Sequence, residues 1–176
     1  MGLFKRKPKI FDTNARKLKS VALEKIKYEM NNPAIKKSYE RKLILHNGEE
    51  VIQHTKIEHN SAKIYIIENG QIKGEANLKL IPVEKINLNF LGKKGVILEL
   101  DNVAIFDVPD RNRGLGVQMI TEAMHIAKKE FGQKELYLRS LLNKIEFYEK
   151  LGFKKIQDKN GNDLKIGHLP IMKIKL

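Results

Sequence analysis

Apolar residues recur at helical spacing at Leu18, Val21, Ala22, Ile26 and Met30. Asp12, Thr13 or Asn14 can cap that helix, and Asn31-Asn32-Pro33 stops it. A further turn of helix is expected over Ala34–Glu40 and a short strand over Lys42–His46, while residues 49–60 are ambiguous. Ala62–Ile67 reads as a strand, Asn69-Gly70 as a hairpin turn, and Ile72–Ile81 as the partner, ended by Pro82. Gly74 interrupts the partner and marks a bulge or a close backbone approach. A polar connection over 83–95 leads to a long apolar strand, Val96–Phe106, with two acids inside it, Glu99 and Asp101. A helix follows from Gly114 to about Lys129, with Leu115, Met119, Ala123, Ile126 and Ala127 on one face. Glu135–Arg139 is the next strand, and a strand–helix–strand unit of this length implies parallel pairing by a right-handed crossover.

Asn143-Lys144-Ile145-Glu146 has the spacing of a capping box, with Asn143 as the cap of a short helix holding Phe147, Tyr148 and Leu151. Gly152 ends it, Phe153 opens a strand, Asn160-Gly161 turns, and Leu169–Leu176 is the last strand. The expected fold class is mixed α/β, in the α+β sense: antiparallel strands first, then one parallel βαβ unit, then a terminal pair.

At 176 residues the chain can build one domain with a real core. It has no cysteine, which excludes disulfides, thiolate metal sites and a cysteine nucleophile. His46, His54 and His59 form no H-x-x-x-H helix signature with a neighbouring acid, so no metal is expected. No apolar run approaches the ~18–20 residues of a membrane helix, and the basic start lacks a signal-peptide core. A cytoplasmic protein without a membrane partner is expected. The net charge of +13 is uneven: residues 1–45 hold 13 Lys/Arg against 4 Asp/Glu, a difference of +9. That segment suits either a polyanion such as nucleic acid or simple solvation. The expected division is a basic helical extension over 1–45 and a second domain over 46–176, whose character its motifs decide.

The chemistry gathers where the long strand turns into the helix, at Arg111-Asn112-Arg113-Gly114-Leu115-Gly116. A glycine turn that opens a helix aims backbone N–H groups, and the positive end of the dipole, at one spot suited to phosphate. A P-loop would need Gly-Lys-Ser/Thr, and Gly116-Val117-Gln118 does not supply it. A Rossmann fingerprint would need a third glycine where Met119 stands.

The order strand, Arg-x-x-Gly-x-Gly, long helix, strand, short helix, then Phe147-Tyr148-Glu149-Lys150-Leu151-Gly152-Phe153 resembles the GNAT superfamily of acyl-CoA-dependent N-acyltransferases. The hairpin IYIIENGQIKGEANL is also similar to that family's second and third strands. The resemblance runs over about Ala62–Phe153. It implies that acetyl-CoA is the co-substrate, its pyrophosphate lying on the amides of Arg111, Asn112, Arg113, Gly114, Leu115 and Gly116. It implies that the pantetheine runs along Ile105, Phe106, Asp107 and Val108, where that strand splays from Glu135–Arg139. A backbone N–H there would serve as a one-member oxyanion hole. Asn143 is carried over toward the pantetheine, two residues later than the family's asparagine.

Tyr148 holds the position where the family often places the acid that protonates the leaving thiolate. The alternative for Tyr148 is packing against the cofactor. Glu99 best matches the glutamate that some members use as base, and Asp101 is the second choice; either acid instead suits binding a cationic substrate or pairing with lysines. The implied function is acetyl transfer to a primary amine of unidentified carrier. Its rival is a non-catalytic module of the same fold that binds nucleic acid or an acidic partner. Leu169-Pro170-Ile171-Met172 suits either a homodimer contact or a core strand.

Overall fold

The structure, a computed structural model, describes residues 34–45, 47–86, 94–106 and 112–176. One sheet runs through it in the order β1-β2-β3-β4-β5-β6-β9-β7, with β8 on the side of β9. The strands are β1 Ile35–Ile44, β2 Glu50–Glu58, β3 Ser61–Glu68, β4 Gln71–Pro82, β5 Val96–Ile105, β6 Glu135–Arg139, β7 Lys154–Lys155, β8 Lys165–Ile166 and β9 Leu169–Lys175. Helix α1 spans Leu115–Lys129 and α2 spans Ile145–Lys150. β1 to β5 pair antiparallel in sequence, β5 and β6 pair parallel around α1, and β9 returns antiparallel.

Apolar side chains of β2, β3, β4, β5 and β6 share one face with Leu115, Met119, Ile120, Ala123, Ile126 and Ala127 of α1. A smaller core of Val83, Ile97, Tyr137, Ile156 and Ile171 lies on the other face. Ile171 and Met172 of β9 are buried in these two cores, so this run is a core strand. Among the described residues no helix is long and apolar enough to cross a membrane.

The turn of helix expected over Ala34–Glu40 is instead the first half of β1, which pairs with β2 across the expected boundary at residue 45. Its odd positions dock on α1. Tyr39 Oη donates to Glu122 at 2.6 Å, Arg41 to the same carboxylate at 3.0 Å, and Lys37 reaches Glu130 at 2.5 Å. These long-range partners outweigh a local helical preference that few apolar residues supported. Burial, then the bond to Glu122, raises the Tyr39 phenol above its ordinary pKa. The helix expected over 12–30 lies outside the described residues.

Two irregularities shape the strands that face the glycine turn. The β3–β4 register slips between Ile66 and Ile67, beside Gly74. A Cβ at Gly74 would lie 2.8 Å from the Ala104 carbonyl oxygen and 2.9 Å from Ile105 Cδ1, so β4 and β5 approach here as only glycine permits. In the β4–β5 pair, Asn77 faces Asn102 and Leu78 faces Leu100, which leaves Asp101 as an extra, bulged residue.

Candidate active site

β5 stays beside β6 only at Leu98–Leu136, Glu99–Tyr137 and Leu100–Leu138. Beyond the bulge it follows β4 alone. The Phe106 amide donates to the Lys73 carbonyl at 3.0 Å. Antiparallel alternation then turns the amides of Val103 and Ile105 away from β4, toward the side β6 has left. The result is a slot through the sheet, edged by backbone donors and acceptors. Ile105 and Phe106, two of the expected pantetheine residues, stand on that edge, with Phe106 half exposed. Asp107, Val108 and Arg111 lie outside the described residues.

At the end of this strand the glycine turn opens α1. Asn112 has φ 68° and Gly114 φ 83°, both left-handed, and Gly114 is the N-cap. The first bond of the helical ladder runs from Gln118 N–H to the Gly114 carbonyl at 3.1 Å, so the amides of Leu115, Gly116 and Val117 stand ahead of it. No acidic side chain occupies the first turn. A Cβ at Gly116 would meet Phe147 Cζ at 3.6 Å, so the turn and α2 are neighbours.

The side chain of Arg113 points elsewhere. Its guanidinium grips Glu68 at 2.5 and 3.2 Å and Glu49 at 2.5 Å. It fastens the turn to the ends of the hairpins. Sequence reading missed Glu49 and Glu68 because they lie 64 and 45 residues away and only the sheet joins them to the turn.

The two acids of β5 do share a face, as their spacing predicts, but both are already engaged. Arg139, at the end of β6, forks Glu99 at 2.5 and 3.1 Å and touches Asp101 at 3.4 Å. Lys79 of β4 holds the other Asp101 oxygen at 2.7 Å. Glu99 is buried, while Asp101 is exposed at the bulge. Their charges are matched by two cations, Lys79 in line with the expected pairing with lysines, and Arg139, which the parallel β6 brings alongside.

Tyr148 lies on α2 between two rings, edge-on to Phe147 at 5.2 Å and to Phe153 at 5.8 Å. Among the described residues its hydroxyl has no hydrogen-bond partner. Burial pushes the phenol's pKa up. The capping box expected at Asn143 does not form. Leu142–Lys144 is a 3₁₀ turn, Lys144 is the N-cap of α2, and no side chain caps it. Asn143 is exposed in that turn. Its local alternative won because the chain reaches the helix through a turn that keeps Asn143 away from the first amides.

Residues 28–153, well over half of the chain, match the family described as the acetyltransferase (GNAT) family. The chain belongs to this family. A tRNA uridine(34) acetyltransferase of Methanocaldococcus infernus is 37% identical over 60 residues, 34% of this chain and 11% of that relative's length. The GNAT chain therefore spans about a tenth of that curated relative. Among solved structures, Arabidopsis thaliana NAA60 in complex with a bisubstrate analogue aligns with a TM-score of 0.51 and 12% identity, covering 66% of this chain and 75% of that one. The PaiA N-acetyltransferase of Thermoplasma acidophilum in complex with coenzyme A aligns at 0.49 and 20%, covering 66% and 62%. The likeness to NAA60 bears on the fold, and the GNAT fold is the one described above.

Proposed function

We propose that this GNAT protein is an N-acetyltransferase that moves an acetyl group from acetyl-CoA to a primary amine by direct attack. The observation that carries the reading is the slot beyond Leu100 opening beside a helix N-terminus that carries no acid. The residues present fit the co-substrate. The amides of Leu115, Gly116 and Val117 suit a pyrophosphate, and Gly114 supplies the left-handed turn that aims them. The open edge of Val103 and Ile105 suits an extended amide-bearing arm. When bound, acetyl-CoA supplies a thioester with an activated carbonyl.

The chain's own residues divide the remaining work. The Ile105 amide, turned into the slot, is the donor for a carbonyl oxygen that gains charge. Tyr148 keeps its proton at neutral pH, since its pKa is raised, and donates it to the leaving sulfur. Of the two acids, Glu99 is locked by Arg139, and exposed Asp101 is the better placed to take a proton from the amine through water.

Calorimetric titration of acetyl-CoA tests the reading. Gly114→Glu puts a side chain into a φ 83° position and a negative charge at the helix N-terminus. Binding to the parent protein that falls at least about a hundredfold in a variant melting within a few degrees of it is the expected result. Equal binding in both, or none in the parent, overturns the reading.

The carrier of the amine is a separate matter. The relative named as a tRNA uridine(34) acetyltransferase and the +9 of residues 1–45 support an acceptor carried on RNA.

A further inference from the structure

The slot has a second side. Even-numbered residues of β4 face α1, as Ala76 and Leu78 in the main core show. Glu75 and Asn77 therefore point to the opposite face, together with Asn102, which the register sets across from Asn77. There Glu75 Oε1 accepts from Asn102 Nδ2 at 3.3 Å and from Asn77 Nδ2 at 3.5 Å. Among the described residues, Glu75, Glu99 and Asp101 are the carboxylates on this face of β4 and β5. Glu99 and Asp101 are matched by Arg139 and Lys79. Glu75 is held by neutral amides alone, and among the described residues it has no cationic partner.

A second polar atom points the same way. Asn77 Oδ1 is buried and has no hydrogen-bond partner. Its orientation is set by chemistry, because the carboxylate can only accept and so takes the Nδ2 side. The site thus offers a carboxylate and an unmet amide oxygen beside it. Both are acceptors, and an acceptor left without a donor carries a desolvation penalty that a ligand's N–H relieves. A compact ammonium has three donors and a full charge and fits this pair.

We infer that Glu75, with Asn77 and Asn102, docks the primary ammonium of the acceptor on the face of the slot opposite the α1 turn. Acyl donor and amine then approach the splayed edge of β5 from opposite faces. The inference rests on the acetyltransferase reading for its meaning, though not for its test. Glu75 positions the amine and is not assigned a proton transfer.

The probe is n-butylamine, with neutral butyramide as control, titrated into ¹⁵N-labelled full-length protein without acetyl-CoA. The side-chain amide signals of Asn77 and Asn102 are expected to shift saturably with the amine and not with the amide. Glu75→Gln keeps the size and the accepting oxygen but removes the charge, and the amine affinity should fall at least about tenfold. Acetyl-CoA affinity should stay within twofold. Should Glu75→Gln fail to fold, Asn102→Ala at an exposed position replaces it, with a loss of about fivefold. Equal responses to amine and butyramide, or an amine response unaltered by the substitution, overturn the inference. An amine response in a protein that does not bind acetyl-CoA would uphold this site and defeat the acetyltransferase reading instead.

Discussion

Tyr148 shows how one side chain is assigned. Phe147 and Phe153 hold its ring edge-on from two sides, so the phenol has little freedom to swing. Burial keeps it protonated, which suits a donor and not a base. Tyr148→Phe removes one oxygen and leaves the ring packing intact. Turnover should fall by about a hundredfold, the usual scale of a lost general acid, while acetyl-CoA affinity stays within twofold. Steady-state kinetics beside calorimetry decides the matter, and an unchanged turnover would make Tyr148 a packing residue. At this scale the sequence was most legible where a residue's role is local. Gly114 announced its left-handed turn, and Tyr148 its place before Gly152. The side-chain task of Arg113 was not legible, because its grip on Glu49 and Glu68 depends on contacts across the sheet.

Elements were legible where one face is buried and the other wet. α1 and β3 to β6 follow their periods. β2 does not, and its burial explains why residues 49–60 fit no template. Gln53, His54, Thr55 and Lys56 are all buried in consecutive order, so neither alternation nor apolarity marks the strand. Such burial of a charge needs a partner. Lys56 finds it in Glu58 at 2.8 Å. The hydrogen bond from Lys56 first, and that from Ser61 second, holds the Glu58 pKa below its ordinary 4.5. A depressed carboxylate contributes stability that is complete above about pH 4.5 and is lost as pH falls through the folded-state value. Glu58→Gln should therefore lower Tm at pH 7 and flatten the decline of Tm below about pH 4.5. Melting curves from pH 7 to 3 give the answer. A variant whose Tm falls with acid as steeply as the parent's would remove Glu58 from the account.

For the whole molecule, the two signatures in their proper order made the GNAT fold readable, and the match over residues 28–153 carries it further toward the N-terminus than the visible likeness did. Charge placement was readable too, but not its use. The excess of +9 in residues 1–45 is either a handle for a polyanion or a solvated surface, and these differ in salt dependence. A protein that neutralises phosphates releases counterions, so log affinity falls linearly with log salt, and the slope counts the contacts. Residues 1–10 contain Lys5, Arg6, Lys7 and Lys9. If they engage RNA, deleting residues 1–10 should weaken binding to a tRNA and make the salt slope shallower. Acetyl-CoA affinity should be untouched, because the amides proposed to hold it are those of Leu115, Gly116 and Val117. Fluorescence anisotropy with labelled tRNA between 50 and about 200 mM salt measures both quantities. A parallel line for the deleted protein would place the RNA contacts elsewhere. Absence of binding by the parent would leave the segment as solvated charge and return the search for the acceptor to small amines and peptides.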